Sequence, residues 1–248
     1  MDSLSLTVIV PVFNEEGCLK RFTEAMDAFL ERTPVPTQVL FVNDGSTDNS
    51  LEQIKEICQQ KIGYSFLSLN RNYGLSTAIK AGIDTIQTTH IGYIDSDLQT
   101  SPLDFMLLLE HLPHHDMVIG IRAKRKDTFV KKISSKIANG FRRYMINDGI
   151  VDTGCPLKIM DAAYAKRVPF FDGMHRFLPA LIQLQGGKVK QLPVQHFERY
   201  AGYSKYHLFN RLWGPLNDTF AFRWMRKRYI NYTVAEEFTN QPVANGHF

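Results

Sequence analysis

The sequence predicts an α/β protein with a mostly parallel sheet and helices on both faces. Three observations predict it. Apolar, β-branched runs recur at short intervals, helical patterns separate them, and a polar cluster closes each run. Such runs read as strands buried on both faces, and their alternation with helices is what a parallel sheet requires.

The elements follow in order. LTVIVPVF at 6–13 is the first strand. A helical pattern opens at Asn14-Glu15-Glu16, where acids suit the positive end of a helix, and runs to about Arg32. The proline-rich TPVPT at 33–37 ends it. QVLFVND at 38–44 is the second strand, Gly45-Ser46-Thr47-Asp48 a turn, and 49–60 a helix. YSFLSLN at 64–70, a helix over 76–87, HIGYID at 90–95 and HDMVIGI at 115–121 continue the alternation. Pro102 sits in the first turn of an intervening helix, where its missing N–H is harmless. Beyond 122 the pattern changes to a basic helix at 128–146, the segment VDTGCPLKIM at 151–160 and a helical stretch near 175–185. A strand KVKQLPVQ at 188–195 follows, then a helical tail at 206–230 expected to break near Gly214-Pro215. The expected organisation is an α/β domain over 1–205, a basic amphipathic tail over 206–235 and a flexible end over 236–248.

Composition narrows the class. The 248 residues are 44% hydrophobic and 22% charged, enough apolar surface to offset chain ordering, so disorder is excluded. Sixteen Gly and eleven Pro exclude collagen-like repeats. Cys18, Cys58 and Cys155 lack metal or disulfide spacing and read as free thiols in a reducing compartment. No apolar stretch reaches the length of a membrane span and no signal-peptide pattern opens the chain, so a cytoplasmic protein is expected.

Charge is unevenly spread. The chain carries a formal +4, yet 122–143 holds nine Lys/Arg with one acid, and 199–228 holds seven with one acid. The rest is acidic. Such polarity points to an anionic partner: phosphate, nucleic acid or a membrane surface. A nucleic-acid partner leaves the acids at the strand ends unexplained, so none is expected.

Those strand ends carry the chemistry, because ligands of open α/β sheets bind there. Asn14-Glu15, Asp44, Arg71-Asn72, Asp95-Asp97 and Arg122 close five successive strands. Asp95 and Asp97, two residues apart on an extended segment, point to one side. Their repulsion is relieved by a divalent cation, Mg2+ or Mn2+, with phosphates completing its shell and Gln99 offering a third oxygen.

VIVPVFNEE, VNDGSTDNS, RNYGLSTAIKAG and YIDSDLQ, in this order, resemble the family 2 glycosyltransferases, and within them the polyprenyl- and dolichyl-phosphate hexosyltransferases. The resemblance covers about 5–210. It implies a GT-A fold, a nucleotide-diphosphate sugar donor, a divalent metal and inversion at the sugar carbon. It also implies that Pro11, Asn14, Glu15, Asp44 and Asp95 line the nucleotide-sugar pocket. Asp95, Asp97 and Gln99 would form the metal site, with Asp95, Asp97 and Arg122 the catalytic set. HFERYAGYSKY at 196–206 resembles the family's HxxRxxGxSKY segment and places Arg199, Ser204 and Lys205 near phosphate. VDTGCPLKIM occupies the acceptor-loop position, and its Cys155-Pro156 departs from the usual Ser-Gly-Phe-Arg type.

The acceptor follows from acidity. A sugar hydroxyl needs a general base, and the Glu-Asp pair of hydroxyl-directed members has no counterpart before the acceptor helix; the nearest is Phe171-Asp172. A phosphate monoester is already ionised and needs cations: Arg122, Lys136, Arg199 and Lys205 supply them. The expected reaction is therefore hexose transfer to a polyprenyl phosphate at the cytoplasmic membrane face. The alternative is a family member acting on a hydroxyl of a glycolipid or polysaccharide. The donor stays open among GDP-mannose, UDP-glucose and related sugars. In the tail, Leu208, Leu212, Leu216, Phe220 and Trp224 recur every four residues among Arg211, Arg223, Arg226, Lys227 and Arg228. That pattern suits peripheral contact with an anionic bilayer, or packing on the protein's own core or a partner subunit. A homo-oligomer or a membrane-anchor partner is left open.

Overall fold

The computed structural model describes residues 4–122, 140, 144–197, 210–232, 234–236 and 238, with 210–215 described by backbone alone. Lys136, Arg199, Ser204 and Lys205 lie outside the described residues, as does Leu208 of the tail stripe.

Among the described residues seven strands form one sheet. In chain order they are β1 (Leu6–Val12), β2 (Thr37–Asn43), β3 (Tyr64–Ser68), β4 (His90–Tyr93), β5 (Met117–Arg122), β6 (Lys158–Asp161) and β7 (Val189–Val194). The helices are α1 (Leu19–Leu30), α2 (Ser50–Gln60), α3 (Leu75–Thr85), α4 (Phe105–Leu109), α5 (Ala162–Arg167), α6 (Leu178–Leu184) and α7 (Asn210–Arg228). The sheet order is β3-β2-β1-β4-β6-β5-β7. All pairings are parallel except those of β6, which runs antiparallel between β4 and β5.

Alternation along β1 builds two cores. Leu6, Val8, Val10 and Val12 turn to one face, where Phe22, Phe29, Phe41, Ile54 and Phe105 join them. Ile9 turns to the other, with Ile79, Ile83, Tyr93, Met160, Phe177 and Phe222. Period-two burial on both faces explains why β1 reads as one continuous apolar run.

Three expectations are corrected. The first helix begins at Leu19, not at Asn14, because residues 14–16 form cross-links to the loop after β2. β4 ends at Tyr93, so Asp95 and Asp97 lie on a turn instead of an extended segment. The tail helix α7 runs unbroken through Gly214-Pro215. A proline deletes one main-chain hydrogen bond, and the turns on either side keep theirs.

The expected stripe on α7 is divided by face. Thr219 and Phe222 are buried, with the Phe222 ring stacked 5.7 Å from Phe177. Arg226 donates to the Ile146 carbonyl and Arg223 contacts the Met145 sulfur. Phe220 and Trp224 point the other way, Trp224 at 63% exposure with Arg228 5.5 Å from its ring centre. Among the described residues no helix is long and apolar enough to cross a membrane.

Candidate active site

The carboxyl ends of β1, β2, β4 and β5 meet at one edge of the sheet, and each carries a polar loop held by the next. Asn14 adopts a positive φ of 52°. Its amide oxygen accepts from Thr47 N–H at 2.7 Å, its own N–H donates to Ser46 Oγ, and Glu15 N–H donates to Ser50 Oγ. These bonds lock the loop after β1 to the loop after β2. Pro11, Asn14 and Glu15 are half-buried beside this junction.

Asp44 is buried and acts as a brace. Its two carboxylate oxygens accept from Tyr73 N–H, Gly74 N–H and Asn72 Nδ2 at 2.8–2.9 Å. It therefore caps the N-terminus of α3 and fixes the loop over 71–74, a favourable place for a negative charge. The loop passes so near that a Cβ on Gly45 would lie 2.2 Å from the Arg71 carbonyl carbon, and Gly45 has φ +66°. Arg71 itself is exposed, stacked 4.7 Å from the Tyr73 ring centre.

The turn after β4 holds the acidic pair. Asp95 accepts from the Tyr93 hydroxyl at 2.7 Å, and Asp97 accepts from Gln99 N–H at 3.1 Å. Leu98, between Asp97 and Gln99, has φ 58°, a conformation rare for a branched side chain and typical of strained functional turns. Burial, then the like charge of Asp97, raise the Asp95 carboxyl to about 6. Two repelling carboxylates fit a divalent cation that takes its remaining oxygens from phosphate and water. Among the described residues no cluster of three or more His, Cys, Asp or Glu is placed to hold a metal alone. The Gln99 carbonyl accepts from Phe197 N–H and His196 Nδ1, so the acidic turn is tied to the segment after β7.

Arg122 and Asp152 face each other at the end of β5, with Nε and Nη2 of Arg122 each 2.7 Å from the carboxylate. Burial opposes the charge on Arg122, but Asp152 outweighs it and holds the guanidinium above its ordinary pKa. Gly154 lies over the pair, where a Cβ would approach Arg122 Nη2 to 2.9 Å.

Three residues of the site escape a reading of the sequence. Asp152 and Lys158 lie in and beside a segment read as an acceptor loop, with no role given to either. His175 Nδ1 is 2.8 Å from Ser76 Oγ, and burial followed by the charges of Arg176 and Lys158 lowers its pKa to about 3. The signal for Lys158 was a lone cation within an otherwise apolar LKIM.

Residues 7–232 match the family model described as Glycosyl transferase family 2. The chain is 34% identical over 212 residues to dodecaprenyl-phosphate galacturonate synthase of Rhizobium johnstonii, covering 83% of this chain and 63% of that one. It is 30% identical over 206 residues to undecaprenyl-phosphate 4-deoxy-4-formamido-L-arabinose transferase of Edwardsiella ictaluri, covering 82% and 63%. The chain thus spans just under two thirds of the length of these relatives. Among solved structures, mannosyl-3-phosphoglycerate synthase from Rubrobacter xylanophilus superposes with a TM-score of 0.71 at 17% identity, covering 93% and 77%. Glucosyl-3-phosphoglycerate synthase from Mycobacterium tuberculosis, with Mn2+, uridine diphosphate and glucosyl-3-phosphoglycerate bound, superposes at 0.67 and 14% identity, covering 90% and 80%. The sheet and its helices are of the GT-A type.

Proposed function

The chain belongs to glycosyl transferase family 2, and from that premise we propose that it transfers a sugar from a nucleotide-diphosphate donor to a polyprenyl phosphate. Asp95 and Asp97, with Gln99, would hold Mg2+ or Mn2+ against the donor diphosphate. The ion supplies charge neutralisation as the nucleotide leaves. Pro11, Asn14 and Glu15 line the nucleotide pocket, and Asp44 shapes it by holding the 71–74 loop. Arg122 orients the acceptor phosphate, together with Lys136, Arg199, Ser204 and Lys205.

One observation carries the choice of acceptor: Asp152, the carboxylate beside the acidic turn, is clamped by Arg122. A carboxylate in such a pair is a poor base, since taking a proton would break a bidentate contact. Asp172 is exposed, and its carboxylate accepts from its neighbour Gly173 N–H. An acceptor that arrives ionised needs neither. The names of the relatives, both sugar transferases of long-chain prenyl phosphates, support the same reading.

A prenyl acceptor is embedded in a bilayer, so the enzyme works as a peripheral protein on its cytoplasmic face. Phe220 and Trp224 with Lys227 and Arg228 give α7 an outward face suited to headgroups. The deciding experiment offers radiolabelled nucleotide sugars with a polyprenyl phosphate, or with free-sugar and glycolipid acceptors, with and without EDTA. Label is expected in the prenyl phosphate only, and only with metal. Label confined to hydroxyl acceptors overturns the reading.

A further inference from the structure

A serine and a histidine distant in sequence meet where the loop over 71–74 enters α3. Ser76, in the first turn of α3, is 3% exposed, and its Oγ lies 2.8 Å from His175 Nδ1. His175 stands in the single turn Met174–Arg176 ahead of α6 and is half-buried. A buried hydroxyl has to donate its proton to an acceptor. Among the described residues Nδ1 is the one hydrogen-bond partner of Ser76 Oγ. The Ser76 O–H therefore donates to Nδ1, and the ring proton sits on Nε2. Burial, then the charge of Arg176, lowers the His175 pKa to about 3, so near neutral pH the ring is uncharged and offers a single N–H. Among the described residues Nε2 has no hydrogen-bond partner.

We propose that His175 donates a hydrogen bond from Nε2 to a hydroxyl of the sugar being transferred, and so takes part in selecting that sugar. Two placements carry it. α3 packs on β1 and β2, and Ser76 follows by two residues Gly74, whose N–H Asp44 holds. The pair thus belongs to the side that shapes the nucleotide pocket, whereas Arg122 lies beyond β4 and β6 at the end of β5. Met174 and Phe177, on either side of His175, share a core with Tyr93, whose hydroxyl donates to Asp95. His175 is therefore tied both to the nucleotide loop and to the face of the acidic turn. The part of the donor that remains to be recognised beyond its nucleotide and diphosphate is the sugar. An uncharged N–H fits an uncharged hydroxyl, while a phosphate is met by cations. A sugar with no hydroxyl at that place would leave Nε2–H unpaired, which discriminates against it.

This inference rests on the reading that a nucleotide-diphosphate sugar binds here. The test is calorimetric titration of the full chain, in Mg2+, with UDP, UDP-glucose, GDP and GDP-mannose, for the wild type and His175→Phe. The wild type is expected to bind one of the two sugar nucleotides more tightly than the plain diphosphate of the same base. His175→Phe, which keeps a flat ring and deletes the N–H, should weaken that sugar nucleotide about tenfold, the worth of one hydrogen bond, and leave the plain diphosphate unchanged. Where the Phe variant fails to fold, 15N spectra of the histidine-labelled wild type decide, with His175 assigned by its loss in His175→Gln. The Nε2 signal should report a bound proton, and should shift with the sugar nucleotide but not with the plain diphosphate. Affinities for both ligands falling together mark a packing role and overturn the proposal, as does no change in either, or a ring proton found on Nδ1. A wild-type chain that binds the plain and the sugar nucleotides equally also overturns it. A wild-type chain that binds none of the four overturns the donor reading itself, and the proposal with it.

Discussion

Asp152 accepts from Nε and Nη2 of Arg122, both at 2.7 Å, and from the Arg122 main-chain N–H at 3.2 Å. Both side chains are largely buried, at 14% and 11% exposure for Arg122 and Asp152. Removing one member leaves the other charge in a poor solvent. Asp152→Asn is expected to lower unfolding free energy by about 2–3 kcal/mol, read by urea denaturation. Replacing both, as Arg122→Met with Asp152→Leu, should restore most of that loss while abolishing transfer.

The approach of Gly45 to the Arg71 main chain sets a second expectation. Gly45→Ala adds a Cβ against backbone that has no room to shift, at a positive φ. It should cost about 3 kcal/mol or more. Gly63→Ala, also at positive φ but with nothing within 4 Å, should cost only about 1 kcal/mol. Equal losses in the two variants would show that the 71–74 loop is not pinned where Asp44 holds it.

Acidity gives a third. The folded Asp95 carboxyl stands near 6, above the roughly 3.9 of an unfolded aspartate. Its contribution to stability is therefore complete below about pH 4 and is lost as pH rises through about 6. A bound divalent ion offsets that loss. Mn2+ should raise the melting temperature more at about pH 7.5 than at about pH 5, and Asp95→Asn should abolish the response. A pH-independent shift in the wild type would contradict it.

The two faces of α7 should separate cleanly. Phe222→Ala removes a ring 1% exposed and stacked on Phe177, and should cost about 3–4 kcal/mol. Phe220→Ala with Trp224→Ala should alter stability by no more than about 0.5 kcal/mol. The same double variant should lose flotation with vesicles containing anionic lipid, while the wild type floats.

Much of the site was legible because polar residues end apolar runs, and the parallel order of β1, β2 and β4 carries those ends to one edge. Asn14, Asp44, Asp95 and Asp97 are candidates on that ground, and Pro11 only on the family resemblance. β6 was not legible. It is four residues long and contains Lys158 and Asp161, so its polar content hides a buried strand. The start of α1 was misread because Glu15 and Glu16 look like helix-opening acids, whereas their main chain and side chains hold the neighbouring loop. The period of the tail stripe was legible. Which of its faces turns inward was not, because the docking of Phe222 on Phe177, residues distant in sequence, decides that.

β6 runs against its neighbours and keeps β4 and β5 from pairing with each other. The acidic turn hangs from one side of this wedge and Arg122 from the other, while Asp152 in the short stretch entering the wedge holds Arg122. Under the proposed reaction, sequence drift in that stretch would retune which molecule receives the sugar and leave the acidic turn intact. On that reading recognition of donor and acceptor sits on separable parts, so one scaffold could be respecialised without being rebuilt.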